Sequence, residues 1–165
     1  GEATVGTVKS VERARAFTAS PTYPRSDNLG DEVRLLGFDL AGSDRAYAPA
    51  APASARVGEK LRATLYWQAA RDLSTSYTVF AQVLNGEGKL VAQHDGLPGA
   101  GTAPTTGWVP DEVVKDEHVI ALSPDLPPGG YSLIVGLYDA STGKRLPVVE
   151  EGRDYIVIVG VQLTD

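Results

Sequence analysis

The sequence predicts an all-β domain, an Ig-like or fibronectin-III-like Greek-key β-sandwich of about eight or nine strands. Three observations predict it. Short apolar runs are rich in Val, Leu, Ile, Tyr and Thr, and 18 Gly and 11 Pro are scattered between them as turn signals. No stretch of helix length shows a convincing helical period. Many short strands separated by turns are typical of sandwiches and barrels.

The segment 126–139 (LPPGGYSLIVGLYD) indicates which of these architectures applies. A Pro-Gly turn leads directly into a strand, and Tyr131 is at the first strand position. This pattern resembles a tyrosine corner, in which a Tyr near a strand start hydrogen-bonds the backbone just upstream. Because such corners belong to Greek-key sandwiches, we predict a structural role for Tyr131.

The chain length of 165 residues fits a single domain. We expect residues 28–165 to form the sandwich, and residues 1–27 to supply an N-terminal strand (3–9) and a connecting segment. Residues 9–17 are a weaker candidate for a short helix.

The other strands follow from the alternation of apolar and polar residues. The clearest is 60–68, which places Trp67 on the inward face as a core residue. The strand at 77–84 is apolar on both faces, so we expect it inside a sheet. Residues 47–55 and 95–110 are expected to be loops. The remaining predicted strands are 32–40, 89–94, 113–122, 131–138, 144–149 and 154–163.

The overall composition excludes several functions. A net charge of -6 repels phosphate backbones and disfavours nucleic-acid binding. The absence of Cys excludes disulfides, thiolate catalysis and Cys-ligated zinc. No apolar run approaches the roughly 18 residues of a membrane span. The chain begins at Gly1 and contains no Met, so we expect a piece of a larger or processed protein, with any membrane attachment made through that parent chain.

The pair His94-Asp95 ends a strand and opens the long loop, and strand ends are where functional groups concentrate. A His–Asp pair suits a catalytic triad or a metal site. However, adjacent residues of a strand point to opposite faces. No GxSxG or SxxK motif supplies a nucleophile. We therefore expect no catalytic residue; a hydrolase would require His94 or the other histidine, His118, to meet a nucleophile or metal in a pocket.

Metal binding has only weak candidates, Asp116 and Asp139. Asp116 is predicted to gather with His94 and Asp95 at one end of the sandwich. The segment from Asp139 to Gly143 has oxygens at alternate positions, as in part of a calcium loop, but lacks the other ligands of an EF-hand. A hairpin turn in which Asp139 accepts hydrogen bonds from local amides is the simpler interpretation. We expect no cofactor.

Trp108 is in a Gly/Thr/Pro loop rather than on a strand face. An exposed Trp beside polar groups would provide a stacking platform for a sugar ring. The alternative is that Trp108 folds back over an open sheet end. Together with His94 and Asp95, Trp108 forms the predicted ligand-binding set.

Five segments, taken in order, resemble a known family. They are GDEVRLLGFDL (30–40), LRATLYWQAA (61–70), YTVFAQVLNGEGKLVAQHDGLP (77–98), PTTGWVPDEVVKDEHVIAL (104–122) and LPPGGYSLIVGLYDASTGKRLP (126–147). The resemblance is to a domain of Chloroflexi and similar bacteria. There it often follows a multi-pass membrane glycosyltransferase of the dolichyl-phosphate-mannose mannosyltransferase type.

The resemblance implies a location rather than an activity. It places the domain on the extracytoplasmic side of the cell envelope, near enzymes that handle lipid-linked sugars. The expected function is therefore a non-catalytic accessory module that holds a glycan or a protein neighbour. The alternative is a purely structural spacer or an adhesion-type Ig-like domain.

Overall fold

The computed structural model describes residues 14–42 and 52–165. Within these residues, ten strands form a six-stranded and a four-stranded sheet, so the all-β sandwich prediction is confirmed with a slightly higher strand count. The predicted strand at 3–9 and residues 9–13 of the predicted helix lie outside the described residues. Residues 14–17 of that helix are not helical, and Ala16 forms an isolated bridge with Val113. No helix in the described ranges is long and apolar enough to cross a membrane.

The strands are numbered in chain order. They are β1 (Tyr23–Leu29), β2 (Val33–Ala41), β3 (Ala53–Arg56), β4 (Lys60–Ala69), β5 (Tyr77–Leu84), β6 (Leu90–Gly96), β7 (Val113–Ala121), β8 (Gly129–Asp139), β9 (Lys144–Arg145) and β10 (Ile156–Thr164). Two 3-10 turns, Pro98–Gly101 and Thr105–Gly107, lie in the loop between β6 and β7.

The two sheets have a Greek-key arrangement. Sheet I has the order β3-β10-β8-β5-β6, with β9 paired to β8, and sheet II has the order β1-β2-β4-β7. Among the described strands, the chain changes sheets five times: before and after β3, between β4 and β5, and before and after β7. Paired strands are antiparallel except β3 and β10, which are parallel.

The tyrosine corner is confirmed. The Tyr131 hydroxyl donates a hydrogen bond to the Pro127 carbonyl oxygen at 2.6 Å. Tyr131 is buried near the start of β8, where the chain arrives from sheet II. In Ig-like sandwiches this crossover position is where such a corner is found.

The core prediction for β4 is also confirmed. Trp67 is fully buried, and its strand neighbours at alternate positions are buried with it. Strand β5 pairs with β6 on one side and β8 on the other, as its apolar faces predicted.

Two strands were missed by sequence reasoning. Residues 53–55, the end of the segment 47–55 predicted as loop, belong to β3 along the edge of sheet I, because Ala53 and Ala55 alternate inward and are buried. Residues 23–27 of the predicted connecting segment form β1 together with Asn28 and Leu29. This edge strand tolerates Pro24 beside a register shift, as edge strands commonly do.

The predicted strand at 144–149 is too long. Only Lys144 and Arg145 pair with β8. The chain then crosses to sheet II, where the Pro147 carbonyl accepts from the Gly30 N–H and the Val149 N–H donates to Asn28, both at 2.8 Å. A proline has no N–H to continue the ladder, which agrees with the strand ending here.

Candidate functional site

Trp108 does not form the exposed platform that its loop position predicted. Only 2% of its surface is exposed, and it belongs to the hydrophobic core cluster. Its indole Nε1 donates to the Ala103 carbonyl oxygen at 2.8 Å. The ring is folded back into the core, so the ligand-stacking prediction is corrected in favour of the alternative.

His94 and Asp95 point to opposite faces of β6, as adjacent strand residues do. The Nδ1 atom of His94 is 2.8 Å from Nδ1 of His118 on β7. The carboxylate of Asp95 accepts from the Tyr138 hydroxyl at 3.1 Å on the outer face of sheet I. The two predicted ligand-binding residues therefore belong to two separate polar clusters.

The inward cluster is organised by Asp116. This side chain is fully buried, and its two oxygens accept three hydrogen bonds. The donors are Trp67 Nε1 at 3.2 Å, His118 Nε2 at 2.6 Å and the Gly99 N–H at 3.0 Å. Asp116 and His94 therefore belong to one cluster, as predicted, with His118 between them. Asp95 is not part of this cluster.

The sequence does contain a signal for this cluster. Every second residue of β7 is buried, and this series comprises Val114, Asp116, His118 and Ile120. Period-2 alternation therefore places both polar residues on the inward face. A buried carboxylate requires partners, so this alternation marks Asp116 as a hydrogen-bonded core residue.

Asp139 is a turn residue. One of its carboxylate oxygens accepts from the Ser141 N–H at 2.9 Å and the Ser141 hydroxyl at 2.7 Å. These hydrogen bonds lower the pKa of Asp139. Gly143 takes a φ of 76°, as the turn interpretation predicted. No group of three or more potential metal ligands occurs among residues 14–42 and 52–165.

The outward cluster forms the best candidate site. A shallow cavity of about 200 Å³ opens on the outer face of sheet I. We name it the Arg145 patch; it is lined by Phe80, Gln82, Asp95, Tyr138, Gly143 and Arg145. Strand register brings these residues together, because Phe80 is opposite Asp95 on β6 and Tyr138 is opposite Arg145 on β9.

An aromatic ring forms the floor of the Arg145 patch. Phe80 points outward yet is only 1% exposed. Below it is Gly136, where an added Cβ would be 2.3 Å from the ring. Above it, the guanidinium carbon of Arg145 is 4.1 Å from the ring centroid. A guanidinium cation this close to the face of an aromatic ring is attracted by the ring quadrupole, so the contact with Phe80 holds Arg145 in place.

Planar polar groups surround this floor. Arg145 contacts the Gln82 oxygen and an Asp154 oxygen, each at 3.5 Å, and Gln82 contacts Gln93 at the same distance. These contacts are at the outer limit of hydrogen-bond length. Burial and the bond to Asp95 raise the pKa of Tyr138. The rim therefore carries donors and acceptors that are held in place but weakly engaged.

A second cavity of about 360 Å³ adjoins the Arg145 patch, and Arg145 lines both. The Tyr77 hydroxyl donates there to a Glu32 carboxylate oxygen at 2.9 Å. Burial and this hydrogen bond raise the pKa of Tyr77. Both cavities are lined in part by residues of the β8–β9 hairpin, and Arg145 is shared between them.

No family model matches the chain. No curated protein matches its sequence. Among solved structures, the chain is similar to the C-terminal domain of wzt, with a TM-score of 0.58 and 10% identity over 88% of this chain and 83% of that one.

Two weaker similarities cover 88% of this chain. One is to a CARDB domain from Pyrococcus furiosus in complex with di-metal ions (TM-score 0.43, 11% identity, 95% of that chain). The other is to a Niemann-Pick type C2 protein from Japanese carpenter ant (TM-score 0.45, 8% identity, 98% of that chain). At such low identity, the similarity to the wzt domain establishes a shared β-sandwich fold.

Proposed function

We propose that this domain is a non-catalytic accessory module that binds a glycan at the Arg145 patch. One observation carries the proposal: a guanidinium group lies over the Phe80 ring, inside a rim of amide, carboxylate and phenol groups. Ligand sites of this kind combine a concave surface with a few well-placed polar groups.

The rim matches the chemistry of sugar hydroxyls. Each hydroxyl both donates and accepts, and neighbouring hydroxyls suit planar groups that present two polar atoms. Arg145 offers donors, Asp95 offers acceptors and Gln82 offers both. Because their present mutual contacts are long, a ligand gains hydrogen bonds without breaking strong ones.

The same patch favours binding over cleavage. Asp95 is the carboxylate among the six residues that line the cavity. Glycoside hydrolysis normally uses two carboxylic acid side chains on either side of the scissile bond. The buried Asp116 cluster faces the interior and so lies away from this surface.

We also propose that the module is on the extracytoplasmic side of the cell envelope, in a glycosyltransferase-type protein. The support is the ordered resemblance of the five segments described above. Sequencing the gene upstream of the codon for Gly1 tests this part. We expect coding sequence for several membrane spans; an upstream cytoplasmic enzyme domain would contradict it.

Calorimetric titration with envelope polysaccharide fragments, preceded by a glycan-array screen, tests the binding proposal. We expect saturable binding by the wild type and a loss of about tenfold or more for Arg145→Ala, which removes a central anchor. Arg62→Ala is the matched control. Arg62 is exposed on sheet II and pairs with Glu117 at 3.2 Å, away from the patch.

Circular dichroism should show all three proteins folded. Equal binding by Arg145→Ala and the wild type would place the glycan elsewhere. Absence of binding by folded wild-type protein would reject glycan recognition and favour a protein neighbour or the structural-spacer alternative.

A further inference from the structure

We propose that His94 and His118 bind a divalent transition-metal ion between their facing Nδ1 atoms. The site lies where edge strand β6 of sheet I meets edge strand β7 of sheet II. It is separate from the Arg145 patch and does not depend on glycan binding.

Asp116 determines the tautomer of His118. An ionised carboxylate has no proton to donate, so His118 Nε2, 2.6 Å away, carries the hydrogen. The Nδ1 atom of a neutral His118 then presents a lone pair. Metal-binding histidines characteristically donate their second ring N–H to a carboxylate, which orients the ring and increases its basicity. Asp116 is in that position for His118.

His94 completes the pair from the other sheet. The two Nδ1 atoms are 2.8 Å apart, with the ring planes at 71°. Two lone pairs cannot face each other at this distance, so either a shared proton or a cation lies between them. Two nitrogens bound to tetrahedral zinc are about 3.3 Å apart. His94 is exposed and therefore free to move by the required half ångström or so.

The local charge favours a cation. The carboxylate of Asp116 is fully buried, and two of its three donors, Trp67 and the Gly99 backbone, are neutral groups. A buried charge is costly unless a charge of opposite sign compensates it. A metal ion bound to His118 Nδ1 would place a positive charge on the far side of the imidazole ring from Asp116, and this charge compensates the carboxylate.

The chemistry of the site selects the metal. Imidazole nitrogen suits zinc, nickel and copper, and affinity for such ligands rises to a maximum at Cu²⁺. The described residues contribute no group of three ligands, so water completes the coordination shell on the exposed His94 side. Two protein ligands give a moderate affinity, with Cu²⁺ bound more tightly than Zn²⁺.

Calorimetric titration of the full chain with CuCl₂ or ZnCl₂ tests the proposal. We expect one ion per chain for the wild type. His94→Gln should weaken binding by about tenfold or more, because the amide retains a hydrogen bond to His118 but is a poor ligand. Asp116→Asn should weaken binding about 10- to 100-fold, as the loss of an outer-shell partner does.

Gln93→Ala is the matched control, because Gln93 neighbours His94 on β6 but points to the outer face. It should bind as the wild type does. Electron paramagnetic resonance of the Cu²⁺ complex should show two nitrogen ligands in the wild type and fewer in His94→Gln. Equal binding by these two proteins, or no one-to-one binding by the wild type, would show that the histidines share only a proton and would overturn the proposal.

Discussion

His94 and Asp95 are adjacent on β6 but belong to two different polar clusters. The two clusters differ in burial and in the length of their hydrogen bonds. The cluster reached by His94 is buried, and its hydrogen bonds to Asp116 are 2.6 to 3.2 Å long. The cluster reached by Asp95 is at the surface, and its contacts are 3.1 to 3.5 Å long. A satisfied buried network stabilises and specifies a fold, whereas a loosely engaged surface network remains available to a ligand.

We expect the greatest loss of stability when the buried cluster is broken. Asp116→Ala leaves the Trp67 indole N–H, His118 and the Gly99 N–H without their acceptor. We expect the free energy of unfolding to fall by about 3 kcal/mol, since buried groups lose a charged partner. Urea denaturation monitored by Trp fluorescence measures it. A loss below about 1 kcal/mol would mean that water replaces the carboxylate.

The single hydrogen bond of the Tyr131 hydroxyl provides a smaller reference value for comparison. Tyr131→Phe removes only the bond to the Pro127 carbonyl and keeps the ring. We expect a loss of about 1 kcal/mol in the same denaturation experiment. A change near zero would show that the corner is held by ring packing alone.

A second Tyr–Asp pair lies on the outer face of sheet II, and its hydrogen bond differs in length from that of Tyr138 and Asp95. The Tyr66 hydroxyl donates to Asp39 at 2.6 Å, shorter than the equivalent 3.1 Å bond of Tyr138. Burial and this bond raise the pKa of Tyr66 to about 12.

The raised pKa means that the folded state favours the neutral phenol. Its contribution to stability is complete below pH 10, the ordinary pKa, and is lost as the pH rises towards 12. Absorbance titration should show a tyrosine ionising near pH 12 that is absent in Tyr66→Phe. An unchanged titration curve in the variant would contradict this assignment.

The smallest effect is expected from the surface cluster. Asp95→Ala should change the free energy of unfolding by no more than about 0.5 kcal/mol, because exposed substitutions rarely cost more. The same variant should weaken glycan binding. A large loss of stability would show that the Arg145 patch is structural, and would remove the contrast between the two clusters.

Features that depend on local sequence were predictable. The tyrosine corner joins residues only four positions apart, and the alternation along β4 needs no knowledge of its neighbours. Adjacent residues of a strand point oppositely by geometry, so the separation of His94 from Asp95 followed directly.

Features that depend on register or loop conformation were not predictable. The Phe80–Arg145 stack requires β5, β8 and β9 in one alignment, which the sequence does not specify. The burial of Trp108 depends on a loop in which Ala100 takes a positive φ of 56°, a conformation unusual for alanine. The contact between His94 and His118 requires the edges of two sheets to meet.

The close contact between Gly136 and the Phe80 ring limits how homologous chains can vary at these two positions. Because an added methyl group would collide with Phe80, the two positions cannot vary independently. A homologue with alanine at the equivalent of Gly136 must either carry a smaller residue in place of the phenylalanine or lift its ring away from the sheet. Either change removes the support under the arginine, so loss of this one glycine should mark lineages in which the surface has acquired a different role.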